Sequence, residues 1–108
     1  MKINKALSAL GMAMRAGKLA TGDEIVLKAV RAGKAKLVIV AGDASENTKK
    51  KFSDKCGSYN VKLIEAYDRE SLGRAIGKPD RVIIAVTDVQ FAQLIAGHLS
   101  QKTEVDLT

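Results

Sequence analysis

Apolar residues recur at helical spacing in five stretches of the chain, and short continuous apolar runs lie between them. The helical sets are Ile3, Leu7, Leu10 and Met14; Val26, Ala29 and Val30; Phe52 and Cys56; Leu72, Ala75 and Ile76; and Phe91, Leu94, Ile95 and Leu99. Spacing of three and four residues places each set on one helix face. The runs over residues 37–40 and 82–86 predict strands that are covered on both faces. Weaker signals over residues 18–20 and 61–64 predict two more strands.

Polar residues and glycines mark where these helices begin and end. Asn4 and Asp68 are predicted N-caps. Three pairs with capping-box-like spacing are predicted to begin the other helices: Thr21 with Glu24, Asp43 with Glu46, and Thr87 with Gln90. The predicted helix stops are Gly17, Gly33, Gly57 and Gly77.

The alternation of helices and strands predicts an α/β fold. We expect a three-layer α/β/α sandwich with a small, mostly parallel sheet of about four strands. One domain over residues 1–101 and a polar tail over residues 102–108 account for the whole pattern. In such sheets the ligand usually lies at the end where helix N-termini and strand-end loops converge.

Charge is distributed unevenly along the chain, whose net charge is +6 over 108 residues. Residues 1–62 carry 13 Lys and Arg against 5 Asp and Glu, whereas residues 63–108 carry 5 against 7. A basic half favours a polyanionic partner, although surface lysines that serve only solubility would give the same excess. The lysines at positions 49, 50, 51 and 55 point in several directions around a helix, which favours a solvated face.

Several classes of function find no support in the composition. The chain has no apolar run long enough to span a membrane, so we expect no membrane association. Its only cysteine, Cys56, cannot form an internal disulfide, which fits a reducing cytoplasm. Lone Cys56 and lone His98 give neither a metal cluster nor a nucleophile–base pair. We therefore expect no catalysis, no metal and no cofactor.

The start of the second helix is the best candidate site. A helix N-terminus preceded by Gly22 offers free N–H groups to an anion, and Lys28 and Arg31 follow one to two turns later. Glu24 would repel a phosphate there but could accept hydrogen bonds from a base edge. The alternative for Glu24 is purely structural, as a capping residue that also pairs with Lys28 four positions later.

The residues in and around this helix resemble the kink-turn RNA-binding family of ribosomal proteins, typified by ribosomal protein L-seven-Ae, and most closely its small bacterial members. The similarity covers roughly residues 4–96. It is carried by Leu10-Gly11, Arg15-Ala16-Gly17-Lys18-Leu19, Gly22, Lys28-Ala29-Val30, Gly33, Ala35-Lys36-Leu37-Val38, Ala41, Asp43, Leu72-Gly73, Ala75 and Gly77. The resemblance implies an α/β/α sandwich that binds RNA through the start of the central helix and the loop after the third strand. The implied RNA-binding residues are Gly22, Asp23, Glu24, Lys28, Arg31, Ala66, Tyr67 and Asp68.

This chain departs from the family motif Gly-x-Asn-Glu-x-x-Lys, which lies at the start of the helix. Gly22 and Lys28 match, but Glu24 stands at the asparagine position and Ile25 at the glutamate position. Ala32 stands where a basic residue is frequent, and Tyr67 where a small or apolar residue is usual. The resemblance therefore implies binding of structured, bent or bulged RNA more strongly than it implies kink-turn geometry.

The main expectation is a monomer that binds RNA in the cytoplasm, in association with the ribosome. Two other functions are alternatives to it. One is a protein–protein scaffold that uses the basic third helix. The other is a small nucleotide-binding protein that uses the same helix start for a mononucleotide. Steep salt dependence of binding to RNA, with none for ATP, would separate RNA binding from nucleotide binding.

Overall fold

Helices and strands alternate through the part of the chain that the structure, a computed structural model, describes: the backbone of residues 4–107 and the side chains of residues 4–100. The elements are α1 (Lys5–Arg15), β1 (Leu19–Thr21), α2 (Asp23–Arg31), β2 (Leu37–Val40), α3 (Glu46–Ser58), β3 (Leu63–Glu65), α4 (Arg69–Ala75), β4 (Ile83–Val86) and α5 (Val89–Leu107). The predicted sequence of elements is therefore confirmed. Ile3, predicted to face the core from the first helix, lies outside the described residues.

The four strands form one sheet in the order β1-β4-β2-β3. Only β2 and β3 are parallel, whereas β4 runs antiparallel to both of its neighbours, β1 and β2. The prediction of a mostly parallel sheet is therefore wrong. The antiparallel direction of β4 follows from α4, because this helix has only seven residues and leaves the chain at the end of the sheet where β3 finishes. The chain therefore enters β4 from that end and runs back.

Helices cover both faces of the sheet, as the continuous apolar runs predict. On one face α2 and α3 bury a cluster that includes Val26, Val30 and Phe52, and on the other α1, α4 and α5 bury Leu10, Leu72 and Ile95. Alternate residues of β2 face the two clusters, so every residue of that strand is buried. This confirms the three-layer α/β/α sandwich.

Some of the predicted helix ends are displaced by a few residues. Asn4 and Asp68 cap α1 and α4 as expected. Ser45, rather than Asp43, caps α3 by accepting a hydrogen bond from the Thr48 N–H at 3.1 Å. At the start of α5 the Phe91 N–H donates to Asp88 at 2.9 Å, so Asp88 takes the role predicted for Thr87.

The ends of α3 and α5 also differ from the prediction. α3 passes Gly57, and Asn60 instead takes the left-handed conformation with φ of 57°. Leu94 is not part of the inner face of α5, since it is 42% exposed. The backbone of residues 102–107, predicted as a polar tail, belongs to α5. Within the described residues, the structure contains no helix that is both long and apolar enough to cross a membrane.

Candidate functional site

The register of the sheet brings the two predicted binding segments to the same end of the strands. Thr21, the last residue of β1, pairs with Ile84 near the start of β4, and Ile83 pairs with Val40 at the end of β2. Val40 in turn pairs with Glu65, the last residue of β3. We call this the site end of the sheet. The start of α2 and the loop after β3 therefore share it, with β4 and β2 between them.

The start of α2 is open because no side chain caps it. Gly22 is the N-cap residue, with φ of 97° and ψ of 142°, and its carbonyl accepts the first helical hydrogen bond from the Val26 N–H at 2.9 Å. The predicted capping box is wrong, because Thr21 belongs to β1. The N–H groups of the first turn, from Asp23 to Ile25, therefore remain available to a ligand.

A shallow groove of about 490 Å³ lies at this open helix start. It is lined by Thr21, Gly22, Asp23, Ile25, Arg69, Asp80, Arg81, Val82 and Ile83. The side chain of Ile25 is 58% exposed, which is high for a large apolar residue. The groove thus combines free backbone donors, an exposed apolar side chain and arginines.

Arg69 and Arg81 are the site residues that the sequence reasoning missed. The backbone N–H of Arg69 donates to the Asp43 carboxylate at 2.9 Å, and its guanidinium donates to the backbone carbonyl of the same residue at 2.6 Å. The Arg81 N–H donates to the carbonyl of Arg69 at 3.0 Å. Asp43, predicted to start a helix, therefore fixes an arginine beside Gly22. In the sequence, Arg69 follows the predicted cap Asp68 and Arg81 precedes the predicted strand over residues 82–86. These positions are only a weak signal of a binding role.

The loop that carries Arg81 is held against α4 by a glycine. The Lys78 N–H donates to the carbonyl of Gly73 at 2.9 Å. A Cβ atom at position 73 would overlap the carbonyl of Pro79. The absence of a side chain at Gly73 therefore allows residues 78–80 to lie directly on α4, which sets the position of Arg81.

The two acidic residues of the first turn of α2 have different surroundings. Asp23 accepts a hydrogen bond from Lys51 of α3 at 3.0 Å. Lys51 therefore supports the site, although its helix was predicted to present a solvated face. Glu24 is exposed and has no ion-pair partner among the described side chains, so the predicted structural pairing with Lys28 does not form.

Lys28 and Arg31 are likewise exposed and unpaired with any acidic side chain that the structure describes. They follow Glu24 by four and seven positions, so all three project from one face of α2. This face starts at the groove and leads away from it. It presents a carboxylate first and cations further along.

The loop after β3 is tied to the rest of the domain more closely than the sequence indicates. Ala66 and Tyr67 are half-buried against the core that α1, α4 and α5 cover. The Tyr67 hydroxyl donates to Asn4 at 3.0 Å, and the Tyr67 carbonyl accepts a hydrogen bond from the Gly42 N–H at 2.7 Å. Contact of Ala66, Tyr67 and Asp68 with RNA stays a prediction. Ala66 and Tyr67 also have a structural role, because both pack against the core.

Asp68 caps α4 by accepting a hydrogen bond from the Ser71 N–H at 2.7 Å. That backbone donor and the Ser71 side chain favour the ionised carboxylate, so the pKa of Asp68 lies below its ordinary value. The cap therefore stays ionised to a lower pH than an ordinary aspartate would.

Replacing Tyr67 with phenylalanine is expected to lower the free energy of unfolding by about 0.5–1.5 kcal/mol while leaving RNA affinity within about twofold. The change removes the bond from the hydroxyl to Asn4 but keeps the packed ring, and Asn4 still accepts from the Leu7 N–H. Urea denaturation and RNA titration measure the two effects. A tenfold loss of RNA affinity at unchanged stability would mean that the hydroxyl contacts RNA.

The remaining candidates for chemistry do not converge on the groove. Among the described residues, no group of three His, Cys, Asp or Glu side chains is placed to hold a metal ion. Cys56 is on the buried face of α3, and this burial raises the pKa of its thiol. The groove can therefore bind and orient a ligand through arginine, backbone donors and an apolar side chain.

Comparison with known protein families identifies a match over most of the domain. The profile of the ribosomal protein L7Ae/L30e/S12e/Gadd45 family matches residues 4–96. A Bacillus subtilis relative named RNA-binding protein YlxQ is 49% identical over 90 residues, which span 83% of this chain and 90% of that protein.

Solved structures share the fold. A Bacillus halodurans protein described as having unknown function superposes with a TM-score of 0.89 at 48% identity, over 91% of this chain and 99% of that one. The Giardia lamblia 15.5kD RNA binding protein superposes with a TM-score of 0.76 over 90% of this chain and 83% of that one. Its identity of 21% makes the second similarity one of fold alone.

Proposed function

The chain belongs to the ribosomal protein L7Ae/L30e/S12e/Gadd45 family, and from this membership and the geometry of the groove we propose that it is a non-catalytic RNA-binding protein. The RNA that it binds is structured and has a sharp bend or bulge. The protein acts in the cytoplasm, in association with the ribosome. The family description and the name of the B. subtilis relative support this proposal.

The observation that carries the proposal is the meeting of an uncapped helix start with Arg69, Arg81 and Ile25 in one groove. Arginine binds phosphate through a planar fork of donors, and backbone N–H groups add further donors at close range. An exposed apolar side chain packs against a base that has left the stack. These are the contacts by which structured RNA is recognised, since its helical major groove is too narrow for side chains to read.

The balance of charge at the groove favours a bend over a regular duplex. Asp23 and Asp80 line the groove together with the two arginines, and Asp43 pairs with the Arg69 guanidinium at 3.3 Å, so the charge there is mixed rather than uniformly positive. A uniform duplex backbone would meet these carboxylates, whereas a bend can direct phosphates to the arginines and base-edge donors to Glu24. The groove is therefore suited to a localised contact.

A competition assay tests the proposal. It compares a kink-turn RNA with the same RNA whose sheared G·A pairs are replaced by Watson–Crick pairs, and with a plain duplex. We expect the bent RNA to bind best by about tenfold or more, because only the bend presents splayed bases and phosphates at one point. Equal affinity for all three would contradict the proposal and leave a nonspecific basic protein.

Replacing Lys28 with alanine is expected to flatten the dependence of log K on log salt by about one unit, because one phosphate contact contributes roughly 0.7–0.9. Lys28 is exposed and free of ion pairs on the α2 face that leads from the groove. The matched control is Lys50→Ala on the exposed side of α3, for which we expect little change. The reverse ranking of the two slopes would move the binding site to α3.

We also propose that the protein is a monomer. The exposed large apolar residues Met12, Ile25, Tyr59, Val89 and Leu94 are spread over several elements rather than collected in one stripe. Scattered residues of this kind do not make an association surface. A stable dimer in sedimentation at micromolar concentration would contradict this.

A further inference from the structure

The end of the sheet opposite the groove carries a row of three lysines, each of which immediately precedes a strand. Lys62 precedes β3, and its carbonyl accepts a hydrogen bond from the Val38 N–H at 2.9 Å. Lys36 precedes β2 and donates its N–H to the carbonyl of Val86 at 2.7 Å. Lys18 precedes β1, and its carbonyl accepts from the Thr87 N–H at 2.9 Å. These backbone contacts place Lys62 and Lys36 at the ends of neighbouring strands and Lys18 beyond β4, at the other edge of the sheet.

Further cations surround this row. Arg15 and Arg31 lie in the last turns of α1 and α2, and Lys34 lies in the loop between α2 and β2. We call the set of Arg15, Lys18, Arg31, Lys34, Lys36 and Lys62 the basic end. All six residues are exposed. Helix C-termini favour cations, so the fold accommodates them here without acidic partners.

The two ends of the sheet differ in how their charges are neutralised. Every ion pair among the described residues involves Lys49, Lys51, Arg69 or Arg74, which all belong to the elements around the site end. None involves the basic end. The nearby acidic residues are Asp54 on α3 and Asp88, which is already occupied in capping α5. Among the described residues, the cations of the basic end therefore lie away from the groove and without ion-pair partners.

The dimensions of the basic end fit the backbone of a polyanion. Lys62 and Lys18 are separated by three steps between strands, which is about 14 Å at the usual strand spacing of ~4.8 Å. The exposed face of α2, with Lys28 and then Arg31, joins the groove to this row over about 14 Å of helix. An RNA arm that leaves the groove along α2 would therefore reach the row.

Tyr59 favours RNA over an acidic protein surface as the partner. It follows α3 three positions before Lys62, and its side chain is 48% exposed. An exposed aromatic ring in the segment that leads to Lys62 can stack on an unpaired base, while the lysines of the basic end bind phosphates. Acidic side chains of a protein would use the lysines alone.

We propose that the basic end is a second RNA-binding surface, which holds sugar–phosphate backbone outside the bend while the groove holds the bend itself. This inference rests on the proposed function of the groove. The backbone belongs either to an arm of the same RNA or to a second RNA molecule. In both cases the protein holds two RNA segments at opposite ends of one sheet.

The test compares a double substitution at the basic end with a charge-matched control. The variant is Lys18→Gln with Lys62→Gln, and the control is Lys5→Gln with Lys50→Gln, two exposed lysines on α1 and α3. Each protein is titrated with a bent RNA that has short arms and with the same bend carrying long arms. A third titration measures capture of a separate labelled duplex by protein already saturated with the short RNA.

We expect the variant to bind the short RNA like wild type but to lose about tenfold in affinity for the long RNA, with a salt slope flatter by about 1.5 units. The control should bind both like wild type. If capture of the separate duplex is lost as well, the second segment can come from another molecule; if only the long-arm effect appears, it comes from the same RNA.

Loss of duplex capture alone would assign the basic end to a second RNA molecule. Equal binding of the long RNA by variant and control, together with equal capture of the separate duplex, would overturn the second surface and leave an acidic protein as the candidate partner of the basic end. Failure of the proposed function has a different signature. It would appear in wild type itself, as the same affinity for the short bent RNA and for its Watson–Crick counterpart.

Discussion

Replacing Gly22 with valine is expected to reduce affinity for bent RNA by about 100-fold or more and to lower the free energy of unfolding by about 1–3 kcal/mol. The loss of stability follows from the backbone. Gly22 has φ of 97° and ψ of 142°, a conformation that side chains with a Cβ atom rarely adopt. A β-branched residue there must either strain the junction between β1 and α2 or displace the start of the helix.

The loss of binding has a separate cause. A Cβ atom at position 22 would meet no protein atom within 4 Å, so it would project into open space at the helix start. That space is where RNA must approach the N–H groups of the first turn. The side chain therefore blocks the ligand by its bulk, which is a separate effect from the backbone strain.

A second glycine separates these two causes. Gly33, at the other end of α2, has φ of 74° and also has open space around its Cβ position. Gly33→Val should cost comparable stability while retaining affinity for the short-armed bent RNA. Thermal melts and titrations below both melting temperatures make the comparison. Wild-type affinity in Gly22→Val, or an equal loss in Gly33→Val, would contradict placing RNA at the start of α2.

The sequence predicted those features of the fold that local patterns determine. The apolar runs of β2 and β4 predict burial on both faces, and the stripes through Val26 and Leu72 predict which helix faces are buried. The direction of β4 is not local, because it depends on whether the chain crosses the sheet before entering the strand. That in turn depends on the packing of α4 and on the loop seated over Gly73, which no periodicity reports.

The sequence predicted only the part of the candidate site that α2 contributes. Gly22 and the exposed face of α2 follow from sequence spacing. Arg69 and Arg81, however, reach the groove because β4 lies between β1 and β2 in the sheet. The capping-box pattern likewise found where α2 begins to within two residues. It could not choose between Thr21 and Gly22, because pairing of Thr21 with Ile84 decides that choice.

Changing Glu24 to asparagine together with Ile25 to glutamate is expected to raise affinity for a kink-turn RNA by about ten- to hundredfold. The double substitution restores the Asn-Glu pair of the family motif that this chain resembles, between the matching Gly22 and Lys28. A pair of well-placed hydrogen bonds to a base edge contributes about 1–3 kcal/mol of discrimination. Both positions are exposed in the first turn of α2, so the core is untouched.

Net charge does not change in this variant, because the carboxylate moves from position 24 to position 25. A gain in affinity therefore cannot come from general electrostatics, and the salt slope should stay the same. Glu24→Asn and Ile25→Glu alone complete a double-mutant cycle, in which we expect the gain to exceed the sum of the single effects. The gain should disappear on RNA whose G·A pairs are replaced by Watson–Crick pairs. If affinity for the kink-turn does not rise, the first turn of α2 does not face these pairs, and this chain reads a bend through Arg69, Arg81 and Ile25 instead.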